Sequence, residues 1–403
     1  MRLLFLLSLL TVLGAETLQQ MEQRARQLKA QGDAAGALAA FERAAALQPK
    51  SAELQDEIGF LLAVLQRPEE AIERFQRAIT LNVDYAPAHY HLAVACWLNN
   101  NYDRALREFR LTAALSPQTF DYRYRYGMAL NDASRFAEAV AELQAATKID
   151  GVSFDAWKQL GLALQKSNDL EGAVKAYRRA SELNAKDPDI WNSLGIVLVN
   201  TGRAEEGIEQ FQKTLALDPG SATAKLNIGF AYLQKAELDK AIPQLREAIA
   251  ADPKSAPAHY DLGVALKQKD RLDEAKVELK KALELDPTMA EAHYTLGIAA
   301  WQTGGFEEAA QEMRSAIKLR PDYGEAYFML GTALKQEGDL AGAVPALREA
   351  IRSSPENPGP YNTLGQILRQ QGDIEGSKAA FAEGARVKQK AEAELANKLK
   401  KGK

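Results

Sequence analysis

Four histidines and a single cysteine are the side chains best suited to acid–base, metal or thiol chemistry in this 403-residue chain. His89, His259 and His293 stand whole multiples of 34 residues apart, each at the same place in a recurring pattern. Semi-buried aromatic or apolar residues usually fill that place, so the three read as core residues rather than as ligands. One cysteine, Cys96, excludes an intramolecular disulfide framework and a thiolate metal cluster. It falls where comparable segments carry Leu or Tyr, and reads as a buried apolar filler. The carboxylate pairs Glu69–Glu70 and Glu307–Glu308 fall in the first turn of predicted helices, where negative charge favours the helix dipole. The chain has no glycine-rich phosphate loop, no GxSxG elbow, no HExxH and no CxxC pair. The expectation is a protein without catalytic residues, cofactor or metal, and not an enzyme.

A chain of this length ordinarily folds as two or three domains. Hydrophobic residues make up 46% and charged residues 26%, which excludes wholesale disorder. Ala, Leu, Glu, Gln and Lys dominate and aromatics stand at 7%, a helix-forming composition. Residues Ala385 to Lys403 hold seven basic and two acidic side chains, whereas the rest of the chain is acidic without a basic stripe. That balance argues against a nucleic-acid platform, and the basic tail reads as a solvated helix end.

Met1 and Arg2 precede an apolar run from Leu3 to Leu13, followed by Gly14, Ala15 and Glu16. A positive end, an apolar core and small residues form the order of a secretory signal. Eleven helical residues span about 16 Å against a hydrocarbon core of about 30 Å, too short to cross a membrane. Cleavage after Ala15 is expected, with Gly14 the alternative. An uncleaved apolar helix is the other reading.

The elements behind these residues emerge from internal periodicity. Eleven units of 34 residues, without insertion or deletion, begin at Leu18, Ala52, Ala86, Phe120, Phe154, Pro188, Ala222, Ala256, Ala290, Gly324 and Pro358, and cover 374 residues. Glycine stands at the eighth position in nine of them, and the twentieth and twenty-seventh stay small. A glycine inside a helix costs about 1 kcal/mol relative to Ala, so these glycines mark close helix crossings. Asp33, Asp169 and Asp339 read as N-caps of second helices, and Thr17 with Gln20 as a capping box on the first. Proline closes seven units. Units four and five depart, with Tyr126 in an aliphatic place and Gly151 and Ala185 where proline is usual, so the chain around Gly151 is expected to bend more easily.

This pattern resembles the tetratricopeptide repeat family over about 93% of the chain. In one unit the residues carrying it are His259, Leu262, Gly263, Leu266, Ala275, Leu279, Ala282 and Pro287. The resemblance implies an all-α, right-handed superhelical solenoid of stacked antiparallel helix pairs, with a concave groove lined mainly by first helices. A single pair cannot bury its apolar face, whereas stacked neighbours can. Residues 385–403, with Val387, Ala391, Leu395 and Leu399 in four-residue steps, are expected to form a charged capping helix and tail, apolar towards the stack. Chaperone-cofactor members carry a basic and asparagine clamp for carboxylate ends. Here Lys158 is followed by Leu162, Ser193, Thr223 and Asn227 at the clamp places, and the clamp is absent. The asparagine ladder of O-linked N-acetylglucosamine transferase is matched only at Asn227.

On the implied groove, the fifth position is aromatic at Tyr90, Tyr124, Tyr260, Tyr294 and Phe328. Tyr90 and Tyr124 are joined by His91, Trp97, Asp121, Arg125, Lys158 and Gln159 as a candidate partner-binding patch, because aromatics and arginine dominate binding energy. A second patch holds Tyr260, Tyr294, Trp301 and Phe328 with Gln268, Gln302 and Gln336, part of a row that also includes Gln234 and Gln370. Such amides suit an extended peptide backbone. The leading expectation is a non-enzymatic scaffold, periplasmic or secreted, that binds an extended or partly folded polypeptide along the groove. The alternatives are a structural component acting through its convex face, with self-association, and a regulatory partner of a separate enzyme.

Overall fold

The computed structural model describes residues 16–401, with side chains to residue 395. The signal-like segment and its cleavage point lie outside the described residues, apart from Glu16. The described residues form 22 α-helices and no strand. They divide into two compact units, residues 16–185 and 186–401.

The first unit contains five pairs: α1 (Leu18–Ala30) with α2 (Ala34–Leu47), α3 (Ala52–Val64) with α4 (Pro68–Leu81), α5 (Ala86–Leu98) with α6 (Tyr102–Leu115), α7 (Phe120–Asp132) with α8 (Phe136–Ile149), and α9 (Phe154–Lys166) with α10 (Leu170–Leu183). The second contains six: α11 (Pro188–Asn200) with α12 (Ala204–Leu217), α13 (Ala222–Gln234) with α14 (Leu238–Ala251), α15 (Ala256–Gln268) with α16 (Leu272–Leu285), α17 (Ala290–Gln302) with α18 (Phe306–Leu319), α19 (Gly324–Glu337) with α20 (Leu340–Ser353), and α21 (Pro358–Gln370) with α22 (Ile374–Lys401). Within each unit every helix packs on its pair partner and on the helix after it, and first helices also touch the next first helix.

The eighth-position glycines sit where the two helices of a pair press together. A Cβ on Gly59 would lie 2.6 Å from the Phe75 ring, on Gly195 2.4 Å from Phe211, and on Gly263 2.6 Å from Leu279. Overpacking of that kind costs about 1–3 kcal/mol, more than the helix gains from losing a glycine. The residues that fill the gap, Phe75, Phe211, Leu245 and Leu279, are buried, and so are the small residues at the twentieth position.

Capping follows the chemistry of the side chains. The hydroxyl of Thr17 accepts from the Gln20 amide while Gln20 accepts from the Thr17 backbone. Asp33, Asp169 and Asp339 each accept from the amide of a glycine three residues on, at 2.8–2.9 Å. Where arginine precedes the second helix, as at Arg67, Arg135, Arg203 and Arg271, its guanidinium instead makes two bonds to the glutamate three residues later.

The turn inside each pair uses one left-handed residue at the same place in all eleven units, with φ between 56° and 87°. Five are glycine, but Gln66, Asn100, Ser134, Asn168, Ala236 and Asp270 adopt it too. The turn between units is tied by the fourth position of the following helix. His89 Nε2 bonds the Val83 carbonyl at 2.9 Å, Trp157 Nε1 the Gly151 carbonyl at 3.1 Å, His259 Nε2 the Pro253 carbonyl at 3.3 Å and Tyr361 the Pro355 carbonyl at 3.2 Å. The Gly151 carbonyl, in the stretch expected to bend more easily, accepts from Trp157 and also from Arg179 at 3.4 Å.

The charged segment from Ala385, expected as a capping helix and tail overlapping the last repeat, continues the second helix of the last pair to Lys401. Helix α22 runs unbroken for 28 residues, with no proline to stop it, and its interior Gly384 packs against Tyr361 and Asn362. Among the described side chains, Val387 is the last buried one. Ala391 is exposed and Leu395 is 60% exposed, so neither of these two side chains packs on the stack.

Candidate functional site

On α3, α5 and α7 the open surface is lined by residues at the fifth, sixth, ninth, tenth, twelfth and thirteenth positions. In the first unit these residues enclose two adjoining hollows. One, about 360 Å³, is lined by Phe60, Ala63 and Val64 of α3, Phe75 of α4, and Tyr90, His91, Val94, Ala95 and Leu98 of α5. The other, about 260 Å³, is lined by Tyr90, Val94, Trp97 and Leu98 of α5, Phe109 of α6, and Arg125, Met128, Ala129 and Asp132 of α7. Tyr90, Val94 and Leu98 form the shared ridge, four residues apart and therefore on one helical face. Leu98 is 75% exposed at its crest.

The candidate residues divide. Tyr90, Trp97 and Arg125 meet on the smaller hollow, and His91 lines its neighbour. Asp121 is exposed, and its charge acts on the Tyr90 hydroxyl. Tyr124 stacks on Phe120 of its own helix, 5.4 Å between ring centres at 8°. The Lys158 ammonium lies 5.5 Å from the Phe154 ring centre, and Gln159 accepts from Asn131 at 3.0 Å. These last three side chains contribute to neither hollow. Sequence reasoning missed Phe60, Val64, Val94, Leu98 and Met128, which line the two hollows.

Charge and hydrogen bonding set the polar side of the site. His91 Nδ1 donates to Asp56, itself buried, at 2.8 Å, while its ring lies 5.5 Å from those of Phe60 and Phe75. Tyr90 sits 5.0 Å from Tyr122, centre to centre. Burial pushes the Tyr90 phenol up, and Arg125 beside it pulls the other way. Burial also raises Tyr122 and Tyr85, with the Asp56 carboxylate adding to both, so the hydroxyls stay protonated donors.

In the second unit Tyr260, Tyr294, Trp301 and Phe328 are partly buried. The Tyr260 hydroxyl bonds to Thr295, Tyr294 packs 4.8 Å from Tyr323, and Trp301 lies 6.3 Å from Phe306. Gln268, Gln302 and Gln336 are exposed at the C-terminal ends of their helices, as are Gln234 and Gln370. Much of the aromatic surface here is spent on packing, and the amides remain free to solvent.

Outside the groove, His89, His259 and His293 each meet a glutamate of the paired helix, Glu108, Glu278 and Glu312, at 2.6 Å. For His89 both partners, a carboxylate and a carbonyl, are acceptors, so both ring nitrogens donate. The Glu108 bond holds the imidazole above its ordinary pKa against the opposing effect of burial. Cys96 is buried, which pushes its thiol up. Among the described residues no group of His, Cys, Asp and Glu is placed to hold a metal ion, and no helix is long and apolar enough to cross a membrane.

An all-α solenoid of helix pairs with an open face of first helices defines a repeat-type binding protein. Family models agree. Tetratricopeptide repeat models match residues 57–118 and 294–358, and 334–401, and the model of the cilia and flagella-associated protein 70 C-terminal domain matches 126–294. The chain belongs to the tetratricopeptide repeat family, whose fold supports protein–protein interaction scaffolds. No curated protein matches it. Solved structures that resemble it include the APC/C hetero-tetramer Cut9–Hcn1, at 13% identity over 87% of this chain and 90% of that one with a TM-score of 0.49. YrrB, described as a repeat protein of this family with an unusual peptide-binding site, matches at 23% identity over 46% and 95% with a TM-score of 0.37. MamA from Desulfovibrio magneticus RS-1 matches at 24% over 42% and 95% with a TM-score of 0.39.

Proposed function

We propose that this protein is a non-enzymatic scaffold that captures an extended or partly folded polypeptide on the first-helix faces, outside the cytoplasmic membrane. The observation that carries the reading is the pair of hollows separated by the Tyr90–Val94–Leu98 ridge. Neighbouring packed helices lie about 8–10 Å apart. A polyproline II segment advances about 3.1 Å per residue with about three residues per turn, so residues three apart share a face, match that step and place side chains in successive hollows. The larger hollow suits an aliphatic or aromatic side chain. The smaller one adds Arg125 and Asp132, which suit a side chain with a polar end. Rigid stacked helices need little reorganisation to bind, which conserves affinity. The apolar run Leu3–Leu13 followed by Gly14 and Ala15 supports export.

Affinity isolation with the natural chain beside a Tyr90→Ala/Arg125→Ala variant tests the binding reading. A partner held by the first and lost by the second supports it, and one retained equally moves the contact off this face. For export, a reporter active only outside the membrane is fused after residue 30, and the released protein is sequenced from its N-terminus. A start at Glu16 is expected, and an inactive reporter removes the placement.

A further inference from the structure

Polar groups at the sixth position of a first helix find their partner at the fifth position of the preceding one. His91 meets Asp56 in this way, Asn227 donates to Asn192 at 2.9 Å, and Thr295 bonds the Tyr260 hydroxyl. The ninth position of the preceding helix lies alongside, as the Phe60 ring does beside His91. In helix α15 the sixth position is Asp261, and the same register sets it against Leu226 and Phe230 of α13.

Leu226 packs into an apolar cluster with Leu245 and Leu262 and has no donor to offer. The Asp261 carboxylate makes no hydrogen bond or ion pair among the described residues, and burial alone pushes it up to about 7. Nearby charges do not compensate. Glu291 and Arg320 act on Tyr260, whereas Lys267, further along α15, is itself half-buried with its ammonium pushed towards the neutral form. Phe230, which the register places next to Asp261, is 36% exposed. The arrangement is the counterpart of the one around His91: an aromatic ring and an acid are present, and the nitrogen donor is missing.

We propose that Asp261 receives a lysine or arginine side chain of the bound polypeptide, with Phe230 flanking the cation, which makes it a specificity-determining residue of the second unit. The assignment rests on the polypeptide-binding reading above. An opposite charge within about 4–6 Å favours the ionised carboxylate by one to three pH units, about tenfold in affinity for each. An aromatic face beside the cation adds to this preference.

The test uses the full chain and fluorescein-labelled twelve-residue peptide pools, degenerate except for a fixed central Arg, Lys, Gln or Glu, read by fluorescence anisotropy. The Arg and Lys pools are expected to bind about tenfold or more tighter than the Gln pool, with the Glu pool weakest. Asp261→Asn should bring the cationic pools to the level of the Gln pool and leave the Gln pool unchanged. Phe230→Leu should reduce the Arg preference without abolishing it. Equal binding of all pools, or a cationic preference that survives Asp261→Asn, overturns the assignment while leaving polypeptide binding intact. No binding of any pool overturns both.

Discussion

Asp261→Asn also has a consequence for the stability of the free chain. Burial raises this carboxyl from an ordinary value of 3.8 to about 7. Between those values the folded chain keeps a proton that the unfolded chain releases, so stability falls as pH rises across that window and levels off above it. At about 1.4 kcal/mol for each pH unit, the ceiling is about 4 kcal/mol against the folded state at pH 8. Water that still reaches the side chain screens the charge, which brings the expected figure to roughly 1–3 kcal/mol. Asparagine keeps the shape and carries no charge. The variant should match the natural chain at pH 4, gain a little at pH 4.5 and gain the full increment at pH 8. Because a repeat array need not unfold in one step, urea unfolding at pH 4.5 and 8 is best read together with hydrogen exchange of the α15 amides. An increment equal at both pH values, or a loss of stability at pH 8, refutes the desolvation argument.

Three further expectations follow from the packing and turns. Glu108→Gln should return the His89 imidazole towards 6.5 in an NMR titration. Since the raised imidazole stabilises below 6.5 and loses that effect as pH rises through its folded value, the cost, roughly 1–3 kcal/mol at pH 6, should shrink by pH 9. Gly195→Leu should cost about 3 kcal/mol or more, because even a Cβ there meets Phe211 at 2.4 Å, and exchange should accelerate in α11 and α12. Ala236→Gly should stabilise by up to about 1 kcal/mol, seen as a raised thermal midpoint, since alanine stands there at φ 56°.

The helix pairs were legible because their determinants recur at fixed places. Gly59 and its eight glycine counterparts share one register, and caps such as Asp33 act within three residues. The site was legible only where one helix face was enough. Tyr90 and Trp97 are seven residues apart on α5 and so line the same hollow. The His91–Asp56 bond spans 35 residues and depends on how α5 leans on α3, a tertiary fact absent from local patterning. Tyr124 has the type and place of a groove residue, but Phe120 one turn earlier takes its ring. The left-handed turn was hidden for a different reason. Gln66, Ser134 and Ala236 carry no turn signature, and the surrounding helices impose the conformation on them.

Within each unit a repeat has one length and docks only through its neighbours, which gives the gene a freedom that a globular fold lacks. Unequal recombination can delete or duplicate a 34-residue unit and leave every surviving interface with an equivalent partner. Such an event would move one recognition slot along its row by a fixed step without redesigning any core. Point mutation then edits the identity of the slot, as Asp261 in place of a neutral residue illustrates. Spacing and identity of recognition elements can thus change separately, so that binding register and binding chemistry are inherited as independent traits.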